Sequence, residues 1–187
     1  MQLHKTRIPG CFTIQPLLFK DERGVFVKTF RSDVFAENHL ETHFPEQYYS
    51  ISRQGVLRGL HFQIPPREHT KLVYCVSGKV MDVIVDLRRG SPAFGNFEVF
   101  ELSAEEGNMI YIPPGLAHGF YVTSERAILV YNVSSLYSPE HDCGIHWRSI
   151  DLPWPNQNPI LSERDGAFPH VSNFSSPFSF EGGEKGK

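Results

Sequence analysis

The chain has 187 residues, 40% of them hydrophobic, and a formal net charge of -3. That length supports one well-buried core and a single domain, and a charge near balance without a long basic block argues against a nucleic-acid partner. Cys11, Cys75 and Cys143 are scattered with no CxxC pair, so neither a disulfide framework nor a zinc ribbon is indicated. The opening residues, MQLHKTRIPG, lack the apolar core of a signal peptide, and no apolar run reaches membrane-spanning length. A soluble cytoplasmic protein is the expectation.

Taken in chain order, the first strand-like run is FVKTF, residues 26–30. SDVFAENHL then predicts a helix from Ser32, a plausible N-cap, to Leu40. Beyond it the pattern is β throughout: VLRGLHF, KLVYCV, KVMDVIVDL, FEVFEL, MIYI, GFYV and AILVYNV. Turn residues separate these runs, among them Ser77-Gly78, Arg89 to Pro92, and Pro113-Pro114-Gly115. Several short strands at this spacing predict an all-β sandwich or barrel. The tail after His170 is rich in Ser, Gly and Phe and reads as disordered, unless Phe174, Phe178 and Phe180 pack on the barrel.

One turn can be carried further. If Ser77-Gly78 closes a two-residue hairpin, Val76 faces Lys79 and Val73 faces Asp82. Lys71, Val73 and Cys75 then share a face with Asp82 and Ile84, and Lys71 and Asp82 are diagonal neighbours. Two charges on an inward face form either a satisfied ion pair or part of a polar pocket.

His61 and His118 are the candidate reactive residues. Metal-binding barrels usually supply HxH, a glutamate and a later histidine. Here Gln63 stands at the second position, with Glu68 and His118 completing an incomplete set. His61 can thus be read as a base, a metal ligand or a satisfied core histidine. Arg58 and Lys71 nearby in the sequence favour base chemistry.

GVLRGLHFQIPPREHTK, VDLRRGSPAFG, GNMIYIPPGLAHGF, LYSPEHD and PILSERD fall in an order and at intervals with a known counterpart. They resemble the cupin-type sugar-nucleotide epimerases, specifically the dTDP-4-dehydrorhamnose 3,5-epimerase family. The resemblance implies a cupin-type jelly-roll β-barrel with a few short helices. It implies a barrel core over about 45–137, an N-terminal arm and dimer-exchange element over 1–44, and a segment closing the site over 138–187. The implied reaction is epimerisation at C3, and at C5, of a nucleoside-diphosphate 4-keto-6-deoxyhexose of the dTDP-L-rhamnose type, with no cofactor and no metal.

The ketone acidifies hydrogens at its neighbouring carbons, so such chemistry needs a base, a cation for the enolate oxygen and an acid on the opposite face. By resemblance His61 is the base, Asp165 orients it, Lys71 stabilises the enolate and Tyr131 is the acid. Tyr131 alternates with Leu129 and should share its face. Arg58 and His118 match residues that contact the diphosphate, and Tyr137 matches an aromatic residue near the nucleoside. Arg23 and Phe26, in DERGVF, match an element that enters the neighbouring subunit's site, which implies a homodimer. Without the resemblance, Asp165 would read as a surface residue or cap, Lys71 as a strand-edge lysine, and Tyr131 and Tyr137 as packing.

The recognition shell departs from the family pattern. Lys28 stands where an acid is usual. Glu46, Tyr48 and Ser50 stand for a Gln-x-Asn-x-Ser pattern, and His69 for a glutamine. Exchanging an acid for Lys28 and an amide for Glu46 would suit cytosine better than thymine. A C3-only epimerase of a CDP-linked sugar is therefore one alternative. A metal-dependent cupin enzyme and a non-catalytic sugar-nucleotide binding barrel are the others.

Overall fold

The computed structural model describes residues 1–182. Its strands are β1 (Gln2–Lys5), β2 (Phe12–Gln15), β3 (Leu18–Asp21), β4 (Gly24–Val27), β5 (Glu46–Arg53), β6 (Leu57–Gln63), β7 (Lys71–Ser77), β8 (Lys79–Asp86), β9 (Phe97–Ser103), β10 (Met109–Ile112), β11 (Leu116–Val122), β12 (Arg126–Val133) and β13 (Asp142–Gly144). Two short helices, α1 (Ser32–Glu37) and α2 (Glu163–Ala167), and a 3-10 turn at Val171–Asn173 complete the elements.

Two sheets face each other. One runs β1-β2-β10-β7-β12-β5 and the other β13-β6-β11-β8-β9, while β3 and β4 form a separate two-stranded ribbon. All the paired strands are antiparallel. This is the β-rich jelly-roll architecture expected of a cupin-type barrel.

Burial explains why the central strands are apolar on both faces. Val73, Cys75, Ile84, Phe120 and Leu129 pack between the sheets. The other side of the five-stranded sheet, with Phe62, Val83 and Val85, lies under Ile145, Trp147, Leu152, Trp154 and Phe178. The other side of the six-stranded sheet, with Leu72, Tyr74 and Tyr111, is capped by Phe35 of α1 and by Leu40. Fully burying a side chain such as Phe120 contributes roughly 1.5–3 kcal/mol.

Several expectations need correction. Ser77-Gly78 is a corner between sheets and not a hairpin. Val73 lies opposite Ile110 and Tyr131, and Asp82 opposite Phe120 and Phe100. Gly78 has φ +76°, and an added Cβ would lie 1.9 Å from the Arg126 carbonyl oxygen, so the corner requires glycine. Lys71 and Asp82 nevertheless both point between the sheets, because they alternate with Val73 and Ile84.

The helix predicted over Ser32 to Leu40 stops at Glu37, with Arg31 rather than Ser32 at the N-cap. His39 takes φ +57°, which ends any helical continuation. Residues 1–44 are not all arm, since β1 and β2 extend the six-stranded sheet. The tail is packed rather than disordered as far as residue 182. Phe174 and Phe178 meet Phe62, and Phe180 lies under the Arg88 guanidinium. Gly183 to Lys187, also within that tail, lie outside the described residues.

Candidate active site

Between the sheets, at one open end, lies a cavity of about 370 Å³. The six-stranded sheet lines it with Glu46, Tyr48 and Ser50 of β5, Lys71 of β7 and Tyr131 of β12. The opposite sheet supplies Arg58, His61 and Gln63 of β6, His118 of β11 and Asp142 of β13. His69, Tyr137 and Arg164 reach it from connecting segments and α2. On β12 the position follows from alternation, with Leu129, Tyr131 and Val133 the buried residues of successive inward positions, whereas Arg58 and His61 on β6 reach the same cavity across a register shift.

The two histidines sit directly opposite each other on β6 and β11. Their strands approach unusually closely nearby. Gly59 has φ +141°, and an added Cβ would lie 2.6 Å from the Gly119 Cα. Only glycine fits that approach. The Gly59 N–H is thereby free to donate to Asp165 Oδ2 at 3.1 Å.

Asp165 is buried at the start of α2. Ser162 caps that helix, its hydroxyl accepting from the Asp165 N–H at 3.1 Å. Such a cap is worth about 1 kcal/mol and fixes where the carboxylate points. Asp165 Oδ1 lies 2.9 Å from His61 Nε2. Burial raises the Asp165 carboxyl, but the His61 contact and the Gly59 N–H outweigh it and hold the group at about 2. The carboxylate can only accept, so His61 Nε2 carries the hydrogen and Nδ1 keeps its lone pair. Burial also lowers the His61 imidazole, with Lys71 and Arg164 adding to the effect and Asp165 opposing it. The result is a neutral base backed by a carboxylate.

Lys71 is buried, and its Nζ donates to the His61 carbonyl at 3.0 Å. Burial, aided by Arg164 and opposed by Asp142 and Asp82, pushes the ammonium down to about 8. Tyr131 presents its hydroxyl 3.3 Å from Ser50 Oγ. Burial pushes that phenol up, so it remains a proton donor. Tyr48 stacks on its ring at 4.8 Å between centroids. His118 Nε2 lies 2.7 Å from Asp82 Oδ2, a second buried histidine–carboxylate pair. Arg58 Nε donates to Ser52 Oγ at 2.9 Å.

Of the residues expected at the site, His61, Lys71, Tyr131, Glu46, Ser50, Arg58, His118 and Tyr137 come together around this cavity, and Asp165 joins through His61. Arg23, Phe26 and Lys28 do not. They are exposed on or beside the β3–β4 ribbon, with Arg23 paired to Asp21. Of the metal reading, His61, Gln63 and His118 line the cavity, but Glu68 does not join them. Glu68 lines a separate hollow beside Pro113, and each histidine faces its own carboxylate.

Arg164 and Asp142 were missed. Arg164 forms an ion pair with Asp142 across the cavity mouth and approaches His61. Both lie inside motifs quoted above, PILSERD and LYSPEHD, which assigned them no role.

A family model described as dTDP-4-dehydrorhamnose 3,5-epimerase matches residues 5–173. The chain belongs to the dTDP-4-dehydrorhamnose 3,5-epimerase family. Its members' chemistry makes it an isomerase by class. It is 45% identical over 168 residues to the dTDP-4-dehydrorhamnose 3,5-epimerase of Shigella flexneri, covering 88% of this chain and 93% of that protein. Among solved structures, the dTDP-6-deoxy-D-glucose-3,5-epimerase of Legionella pneumophila in complex with dTDP-4-keto-L-rhamnose superposes with a TM-score of 0.91. That pair shares 34% identity over 96% of this chain and 98% of the other. A 3'-monoepimerase from Streptomyces bikiniensis in complex with dTDP-quinovose gives 0.86 at 31% identity, over 90% and 87% of the two chains.

Proposed function

We propose that the chain epimerises C3 and then C5 of dTDP-4-dehydro-6-deoxyglucose, in a pathway of the dTDP-L-rhamnose type. His61 Nδ1 takes the proton from the carbon beside the C4 ketone. The electron pair moves onto the ketone oxygen, and the Lys71 ammonium stabilises that enolate. Tyr131 returns a proton to the opposite face, which inverts the centre. The phenolate regains its proton from solvent as His61 loses the one it took. The observation that carries this reading is the meeting of the His61–Asp165 pair, Lys71 and the protonated Tyr131 around one cavity, in a chain of this family.

The rest of the substrate has matching partners. Arg58 spends its Nε on Ser52 and keeps the planar fork for diphosphate oxygens, with His118 beside it. Tyr137 is exposed at the rim, where a nucleobase could stack on its ring.

A homodimer completes the reading. Phe19, Val25 and Phe26 are exposed on the β3–β4 ribbon, and Tyr49, Ile51 and Val76 are exposed on the six-stranded sheet. That apolar surface suits a second copy of the chain, with Arg23 and Phe26 reaching the other subunit's ligand. A cytoplasmic setting fits the three free cysteines, and no helix among the described residues is long and apolar enough to cross a membrane.

The test is NMR of dTDP-4-dehydro-6-deoxyglucose incubated with the protein in heavy water. Deuterium should enter at C3 and C5 with inversion at both. Exchange at C3 alone would give the activity named for the Streptomyces bikiniensis protein, and no exchange would refute epimerisation.

A further inference from the structure

Arg164 stands where the proposed mechanism has no use for it. Its Nη2 lies 3.1 Å from His61 Nε2, and its Nε lies 3.4 Å from Asp165 Oδ1. Asp165 Oδ1 is the same oxygen that faces His61 Nε2 at 2.9 Å. Both guanidinium and imidazole therefore address one acceptor. Arginine donates only, and His61 Nε2 already carries a hydrogen toward the carboxylate. The Arg164–His61 contact is thus between two donors. It is held because Nη1 of Arg164 is tied to Asp142 and the guanidinium packs over the Phe168 ring at 5.5 Å.

We propose that Arg164 is a positioning residue that keeps His61 unprotonated by withdrawing part of the Asp165 charge and by placing a cation against the imidazole. The inference rests on His61 being the base. When His61 takes a proton, the new charge meets a guanidinium at hydrogen-bond distance. Asp165 offsets it less fully, because Oδ1 is also directed at Arg164. The arrangement weakens the base, but it keeps that base available at lower pH. Arg164 is half exposed, so solvent moderates the effect without removing it.

The other groups around His61 act in both directions. Lys71 from β7 opposes the protonated form, and Asp142 from β13 favours it. His118 from β11 faces His61 across the strand pair but is held by Asp82. None of these shares the Asp165 oxygen, but Arg164 also bears on Lys71 and is paired with Asp142, so its effect is read at the His61 ring itself.

The test uses Arg164→Gln and Arg164→Lys in the full-length protein. The His61 ring is followed by NMR in the ligand-free state, and the pH dependence of kcat/KM is measured in parallel. With Arg164→Gln the His61 midpoint should rise by about one pH unit, and the acid limb of kcat/KM should move up with it. Below both limbs that is about a tenfold loss. Arg164→Lys should restore most of the parent profile. An unmoved His61 midpoint, or a raised KM on an unmoved acid limb, would show that Arg164 only contacts ligand and would overturn the proposal. Parent-level activity in His61→Ala would instead sink the base assignment, and the ligand-free titration would still report what Arg164 does.

Discussion

The cavity wall and the β3–β4 ribbon are built on opposite principles. In the wall, His61, Asp165, Lys71 and Tyr131 are buried or half-buried, cross-linked by hydrogen bonds and drawn from three strands and a helix of one chain. In the ribbon, Arg23, Phe26 and Lys28 are exposed, and the one strong polar link is local, between Arg23 and Asp21. Phe26 stays 61% exposed, its ring tilted against that of Phe19. The chemical groups are thus complete within a chain, while the expected recognition groups are presented outward. A single copy holds the groups proposed to move a proton, and under the proposed dimer a second copy would supply part of the means to hold the nucleotide.

The largest effect should come from breaking the wall. His61→Ala should lower kcat/KM by about 10²–10⁴, the usual scale of general base catalysis. Asp165→Ala should act on the same step, so the double variant should be hardly worse than His61→Ala alone. Steady-state kinetics of the three variants checks this. Losses that multiply would mean that Asp165 does not work through His61.

A middle-sized effect should come from the ribbon. Arg23→Ala should raise KM by roughly tenfold, the loss expected of one charge-assisted hydrogen bond, with kcat little changed. At substrate well below KM, mixing it with His61→Ala protein should raise activity above the Arg23→Ala background, because some mixed dimers then hold one intact site. If subunits exchange and activity does not rise, wall and ribbon belong to the same chain's site.

The smallest effect concerns the base itself. Glu46 Oε2 accepts the Tyr137 N–H at 2.6 Å, so this side chain holds the rim segment. Lys28 lies outside the cavity of its own chain. Within one subunit Lys28 does not reach the cavity, while Glu46 lines it with one oxygen already engaged by the rim backbone. Calorimetry should find dTDP bound more tightly than CDP, with the Lys28→Glu, Glu46→Gln double variant changing the preference by less than about threefold, under 1 kcal/mol. Tighter CDP binding that the double variant reverses would restore the cytosine reading and make the ribbon a reader of the base.

How much of this was legible depended on the kind of signal. The inward face of β12 was readable because Leu129 and Tyr131 obey a two-residue period that burial enforces. The short β1, β2 and β3 were not, because QLHK, FTIQ and LFKD carry too few apolar residues to stand out from loops. Ser77-Gly78 misled because a glycine with positive φ serves a hairpin and a sheet-to-sheet corner equally well. The distinguishing fact was present in KLVYCV: both faces of that strand are apolar, as a strand between two packed layers requires. His61, Lys71 and Tyr131 emerged through family motifs, since their roles depend on contacts far apart in sequence. Arg164 lies inside PILSERD, but the motif gave it no role, and the direction of its side chain shows only in its contacts with Asp142, Asp165, His61 and Phe168.

The close approach at Gly59 and Gly119 has a consequence for how this enzyme can be dissected. Replacing side chains around the cavity with alanine removes atoms one group at a time. At these two positions there is nothing to remove, and a scan of that kind passes over them. Yet a single methyl at Gly59 would have to push the strands apart, shifting His118 relative to His61 and taking from Asp165 the amide that holds it. The spacing of the reactive groups is kept by space left empty, and substitutions that add atoms are the ones that would reveal it.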